Sequence, residues 1–168
     1  MSETVLIALG GNLGDVKKTF LRAVAHLSSD LFDVRMSPVY RTAPHFDKPG
    51  CREQDVPMYL NAVMVGQTYW PPDALLERLQ AVERANGRRR GELCAPRSLD
   101  LDLLLYGDVI LDTPSLTLPH PRMHLRNFVL RPAADVAPNI LHPVLGQTIA
   151  QLLASCRDDM TCEKLTDL

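Results

Sequence analysis

The chain has 168 residues, of which 46% are hydrophobic and 23% charged, with a formal net charge of −2. That composition supplies enough apolar side chain for one core in a single domain spanning 1–168, and it excludes a general nucleic-acid binder, which would be basic. No stretch approaches the roughly 18–20 apolar residues of a membrane span. The opening MSETVLIALGG lacks a basic segment followed by a long apolar run, so no export signal is expected. The four cysteines, Cys51, Cys94, Cys156 and Cys162, form no CxxC pair and no zinc-type spacing. Free thiols in a reducing cytoplasm are the simplest expectation.

In chain order, Thr4–Leu9 is a short apolar run closed by Gly10 and Gly11, which predicts a buried strand. Asp15–Ser28 places Val16, Phe20, Val24 and Leu27 at helical spacing, with Asn12 or Asp15 available as the cap. Phe32–Arg41 reads as one strand kinked or edged at Pro38. Thr42–Met58 holds three prolines and a glycine among polar residues and reads as a long loop, which in a compact domain is often functional. Tyr59–Tyr69 returns to strand character, with Val63 and Val65 on one face. Pro71 and Pro72 open a helix that runs to Asn86 on Leu75, Leu76, Leu79 and Val82, and Asn86-Gly87 ends it. After a second loop over 87–96, Ser98–Tyr106 alternates leucines at 99, 101, 103 and 105 with Asp100 and Asp102. Val109–Leu111 is expected to pair back, and Ile149–Ala154 to form a last helical turn or two. The order strand, helix, strand, strand, helix, strand predicts an α+β, ferredoxin-like domain with a mostly antiparallel sheet.

Strand alternation sends Asp100 and Asp102 to one face, with Cβ atoms roughly 6.5–7 Å apart. Two carboxylates at that spacing suit one magnesium ion or a pair, and a metal pair can clamp both oxygens of a phosphoryl transfer. By themselves they read first as two solvated aspartates on an exposed sheet face, since a bare Asp-x-Asp is common by chance. Arg88, Arg89, Arg90 and Arg97 lie in the segment leading into the same strand, and guanidinium forks match phosphate oxygens. Taken without the aspartates they are a solvated charged loop. No GxxxxGK[ST], GxGxxG or protein-kinase set is present, so any ATP is held by arginines and histidine rather than by a glycine cradle. His120 and His124 make an H-x-x-x-H, but Pro121 interrupts any helix and the metalloprotease glutamate is missing. His120 therefore reads as a fixed polar group in a turn rather than a zinc ligand. Phe128, from its position alone, reads as core.

The run Pro96-Arg97-Ser98-Leu99-Asp100-Leu101-Asp102-Leu103-Leu104-Leu105-Tyr106-Gly107 closely resembles the signature of the 6-hydroxymethyl-7,8-dihydropterin pyrophosphokinases of folate biosynthesis. Other blocks resemble the family in the same order: Leu9-Gly10-Gly11-Asn12-Leu13-Gly14, Val39-Tyr40-Arg41-Thr42, Tyr59-Leu60-Asn61-Ala62, Leu118-Pro119-His120-Pro121-Arg122 and Phe128-Val129-Leu130. The resemblance implies transfer of the β,γ-pyrophosphoryl unit of ATP to the pterin hydroxymethyl oxygen, with release of AMP. It implies two magnesium ions on Asp100 and Asp102, with Arg88 and Arg97 joining them in the catalytic set. ATP would be held by Glu83, Arg88, Arg90, Arg97, His120 and Arg126, and the pterin framed by Thr42, Ala43, Tyr59, Asn61 and Phe128. It further implies a cytoplasmic monomer with ATP and pterin as its partners, no nucleic acid and no membrane, whose two long loops close over both substrates. The chain departs from the family pattern at Gly11, where serine is common, and at Cys94, where some members carry a tryptophan lid. It also departs at Pro121, where some have tyrosine, and at Leu125, where an acidic residue is frequent.

Two rivals share parts of this pattern. A magnesium-dependent nucleotidyltransferase also combines Gly-Gly with Asp-x-Asp, but there the aspartates follow the glycines closely, whereas here most of a domain separates them. A non-catalytic RNA-binding module of the same fold would show aromatics on its central strands, where this sequence has aspartates.

Overall fold

The computed structural model describes residues 1–43, 57–87 and 96–165. The elements are β1 (Glu3–Gly11), α1 (Val16–His26), β2 (Phe32–Met36), β3 (Tyr40–Thr42), β4 (Tyr59–Thr68), α2 (Pro72–Ala85), β5 (Asp100–Tyr106), β6 (Leu111–Asp112), β7 (Thr117–Leu118), α3 (Asn127–Val136), α4 (Ile149–Ser155) and β8 (Cys162–Lys164). Six strands form one antiparallel sheet in the order β5-β1-β4-β3-β8, with β2 also paired to β4. With β5 and β4 flanking β1, and a helix after β1 and after β4, this is the ferredoxin-like α+β plan expected from the element order. Among the described residues no helix is long and apolar enough to cross a membrane.

Helices α1 and α2 cover one face of the sheet. The Asp15 carboxylate starts α1 by accepting the Lys18 N–H at 3.2 Å, and Val16, Phe20 and Ala23 turn inward at helical spacing. Pro72, whose fixed φ suits a first helical turn, opens α2, and Leu75, Leu79 and Val82 face the sheet. They meet Val5, Ile7, Leu9, Met64, Leu101 and Leu103 in the larger apolar cluster. Each such fully buried side chain contributes about 1.5–3 kcal/mol relative to exposure. Helices α3 and α4 pack on the opposite face against Leu6, Val63, Val65, Leu104 and Leu105.

Several expectations are corrected. Phe32–Arg41 is not one kinked strand but two, β2 and β3, both paired to β4. Between them Ser37 donates its N–H to the Val63 carbonyl at 2.9 Å and accepts the Val63 N–H on its hydroxyl at 2.8 Å, before Pro38, which has no N–H to give. The segment around Val109–Leu111 does not return to the main sheet; Leu111–Asp112 pairs with Thr117–Leu118 in a separate two-stranded ribbon. The leucines of β5 do not all share one face. Leu6 opposes Leu105 while Ile7 opposes Leu103, so Leu104 is an extra residue in a bulge, and Leu105 packs on the α3 side while Leu101 and Leu103 stay under α1 and α2. The sequence reading missed β8, which extends the sheet beyond β3.

Candidate active site

Register places three cross-strand rows on the α3 face of β5, β1 and β4. They are Leu105–Leu6–Val65, then Asp102–Ala8–Val63, then Asp100–Gly10–Asn61. Down the middle strand the side chains shrink from leucine to alanine to glycine, while the flanks change from apolar to polar. A Cβ on Gly10 would stand 3.4 Å from Asn61 Oδ1 and 3.9 Å from the Asp100 Cβ. The missing side chain therefore leaves the floor between these two residues open.

Asp100 is partly buried and accepts Arg97 Nη1 on both carboxylate oxygens, at 3.3 and 3.2 Å. Burial alone would lower the Arg97 pKa, but the Asp100 charge and hydrogen bond outweigh it and hold the guanidinium above its usual value. The backbone of Arg97 is clasped by Asn12, whose Oδ1 accepts the Arg97 N–H at 2.7 Å and whose N–H donates to the Arg97 carbonyl at 2.9 Å. Asn12 also donates its side-chain N–H to the Pro57 carbonyl at 3.4 Å. Of the two residues available to cap α1, Asp15 is the one used, which leaves Asn12 for this clasp. The close approach explains Gly11, since a Cβ there would lie 2.7 Å from the Ser98 carbonyl oxygen.

Asp102 is exposed at the mouth of the face. His120 stands near it on the turn after β7, with its N–H donated to the Leu104 carbonyl at 2.8 Å and its Nδ1 accepting the Arg122 N–H at 3.2 Å. Burial lowers the His120 pKa, the Asp102 charge opposes that shift, and Arg126 and Arg122 reinforce it. With Nδ1 occupied as an acceptor, neutral His120 carries its proton on Nε2. Arg126 lies with its guanidinium carbon 5.5 Å from the Phe128 ring centre, a cation–π contact at the start of α3. Phe128 is half-buried against the smaller apolar cluster, so it serves that cluster and still presents a ring.

On the β4 side Asn61 and Thr42 are both buried and joined by an Asn61 Nδ2 to Thr42 Oγ1 hydrogen bond of 2.8 Å. Burial raises the Tyr59 hydroxyl pKa, with the nearby Arg97 charge lowering it and the nearby Asp100 charge raising it. Ala43 is half-buried at the end of β3. Glu83 is 3% exposed and accepts the Leu101 N–H at 3.2 Å, between the two aspartates along β5. Asp100, Asp102, Arg97, Tyr59, Asn61, Thr42, His120, Arg126 and Phe128 thus gather about one end of one sheet face, with Glu83 at the β5 edge. Arg88 and Arg90 lie outside the described residues. Sequence reasoning missed Gly10 as a floor and Asn12 as a clasp; the local signal was the Leu-Gly-Gly-Asn run itself.

Among the described residues no three His, Cys, Asp or Glu side chains converge as a ready-made metal cage. Two carboxylates beside an open glycine floor are nonetheless the donor set that magnesium uses when phosphate oxygens and waters complete its shell. The residues therefore fit that ion. One end of a ferredoxin-like sheet thus brings together an acidic pair, a clasped arginine and an open glycine floor, the kind of donor set that phosphoryl-transfer sites use.

Residues 6–138 match the family model described as 7,8-dihydro-6-hydroxymethylpterin-pyrophosphokinase (HPPK). A Pseudomonas aeruginosa 2-amino-4-hydroxy-6-hydroxymethyldihydropteridine pyrophosphokinase is 37% identical over 163 residues, covering 93% of each chain. The Synechocystis enzyme of the same name is 39% identical, over 88% of this chain and 73% of its own. The Pneumocystis carinii folic acid synthesis protein fol1 is also 39% identical over 89% of this chain, which spans only 20% of that longer protein. In three dimensions the Plasmodium falciparum HPPK-DHPS crystal structure with pteroate aligns with a TM-score of 0.69 at 16% identity. That alignment covers 92% of this chain and 42% of the Plasmodium chain. The chain belongs to the 7,8-dihydro-6-hydroxymethylpterin-pyrophosphokinase family.

Proposed function

We propose that this chain transfers the pyrophosphoryl unit of ATP to the hydroxymethyl group of 6-hydroxymethyl-7,8-dihydropterin, and that the polar end of the α3 face is where it does so. The observation that carries the reading is the Asp100–Gly10–Asn61 row, which sets a carboxylate and an amide side by side over an open floor. Asp100 and Asp102 are the residues that would hold magnesium, as two ions. When bound, that metal would supply positive charge against the phosphate oxygens.

Arg97, kept by Asn12 and aligned by Asp100, offers its remaining guanidinium N–H groups to phosphate oxygens. His120 donates from Nε2 and Arg126 adds charge on the same side. Thr42, Asn61 and Tyr59 line the polar edge of the pterin slot, and Phe128 offers a ring face for stacking. The hydroxymethyl oxygen bonds to the β-phosphorus as the bond to the AMP oxygen breaks, and the hydroxyl proton leaves to solvent. Phosphoryl transfer of this kind depends on positioning and charge neutralisation, so no side chain is assigned as general base. Glu83 acts through the β5 backbone at Leu101, and ATP contacts from Arg88 and Arg90 complete the nucleotide side. The enzyme works as a monomer.

The test incubates the chain with ATP, magnesium and the hydroxymethyl dihydropterin and resolves the nucleotide products. AMP that forms only when the pterin is present is the expected result. ADP, free pyrophosphate or no turnover overturns the reading.

A further inference from the structure

This inference rests on the pterin slot just proposed, with Thr42 and Asn61 on one wall and Phe128 on the other. Helix α3 carries Phe128 as its second residue, yet it begins without a cap of its own. Arg126, at its N-cap position, makes no side-chain cap bond, and the first turn holds no acidic residue. Its first N–H groups would be left without partners.

The cap comes from the segment after α4. Asp158 Oδ2 accepts the Asn127 N–H at 3.0 Å, and its Oδ1 accepts the Met160 N–H at 3.0 Å. The Asn127 side-chain amide donates back to the Asp158 carbonyl at 3.2 Å and to the Met160 carbonyl at 2.6 Å. Two carbonyl acceptors fix the orientation of that amide, which sits in a residue only 4% exposed. A carboxylate at a helix N-terminus also meets the positive end of the helix dipole.

The same segment then becomes β8 and pairs with β3, Thr42 opposite Cys162 and Tyr40 opposite Lys164. The Leu165 N–H continues the pairing to the Val39 carbonyl at 2.8 Å. Tyr40 donates its hydroxyl to Asp135 of α3, and Lys164 Nζ lies 3.5 Å from the other Asp135 oxygen. Residues 156–165 thus bind the start of α3, next to Phe128, and the strand that carries Thr42.

We infer that this C-terminal segment is a strap that sets the width of the pterin slot, with Asp158 and Asn127 as positioning residues acting through Phe128 and Thr42. Neither touches the reacting atoms. Both walls of the slot are tied to one short piece of chain, so loosening the Asn127–Asp158 knot lets them move apart while the acidic row on β5 stays in place.

The experiment uses the full chain with Asp158→Ala, Asp158→Asn and Phe128→Ala. Pterin affinity is read by the pterin's own fluorescence with magnesium and a non-hydrolysable ATP analogue saturating. Affinity for the analogue alone and Tm are measured alongside. Asp158→Ala is expected to raise the pterin Kd about fivefold, the weight of one lost helix cap, and to move the analogue Kd by less than about twofold. Asp158→Asn keeps an acceptor and is expected to fall between Asp158→Ala and the parent, which preserves the test if the alanine variant folds poorly. A lowered Tm with unchanged pterin Kd overturns the inference, because the cap is then only structural. An equal loss for both ligands overturns it too. If Phe128→Ala leaves pterin binding unchanged, the slot reading fails and the strap falls with it; if Phe128→Ala weakens pterin binding and Asp158→Ala does not, the strap alone fails.

Discussion

The two faces of the sheet begin alike and end differently. Under α1 and α2 the three consecutive rows Tyr106–Val5–Gly66, Leu103–Ile7–Met64 and Leu101–Leu9–Ala62 stay apolar. Under α3 the first row is as apolar, the second carries Asp102, and the third is Asp100, glycine and asparagine. Over these rows the same three strands therefore serve as core on one side and as half core, half polar floor on the other. A site made this way inherits rigidity from the leucines directly behind it, which suits a reaction that depends on placing charges. Stability and turnover should accordingly separate by face.

The sharpest break of that comparison is Asp102→Asn. Turnover is expected to fall on the order of 10²–10³-fold, as for loss of a principal electrostatic stabiliser, while Tm stays near the parent because Asp102 is exposed. Near-normal AMP production by a folded Asp102→Asn protein removes the carboxylate from the chemistry. The mirror change is Ile7→Ala on the closed face, expected to cost about 2–4 kcal/mol in a denaturant titration while leaving kcat per folded molecule unchanged. Gly10→Ala probes the boundary between the faces. Its Cβ enters the floor beside Asn61 and Asp100 at ordinary contact distance, so stability should hold while kcat/KM falls by about tenfold through misplaced substrate. The smallest effect is expected from Arg41→Ala. Arg41 pairs with Glu163 across β3 and β8 with both side chains about half exposed, and such a pair is worth less than about 1 kcal/mol. A larger loss of Tm would mean that the β3–β8 pairing leans on that ion pair rather than on its backbone bonds.

Much of this plan was legible in the sequence because the decisive patterns are local. Val16, Phe20, Val24 and Leu27 announce α1, Leu75, Leu79 and Val82 announce α2, and the alternation of leucine with Asp100 and Asp102 sets the acidic pair on one side of β5. What stayed hidden depends on distant partners or on ambiguous runs. Leu103-Leu104-Leu105 is apolar whichever residue bulges, so no pattern in it shows where the strand changes phase. Strand β8 reads Cys162-Glu163-Lys164 with no apolar alternation, and is recruited by β3 rather than by its own propensity. The clasp of Asn12 on Arg97 spans 85 residues. Glu83 did leave a trace: it stands four residues after Leu79, on the buried stripe of α2, where a carboxylate needs a reason.

That reason has an outcome for how copies of this chain meet. Strand β5 is the outermost on its side, and a bare outer strand invites another chain to zip alongside. Here the Leu101 N–H is already taken by Glu83 and the Leu104 carbonyl by the His120 N–H. A neighbour seeking to extend the sheet at the level of the acidic pair would have to evict a sequestered carboxylate and a turn, so at that level the outer strand has these two backbone groups already spoken for.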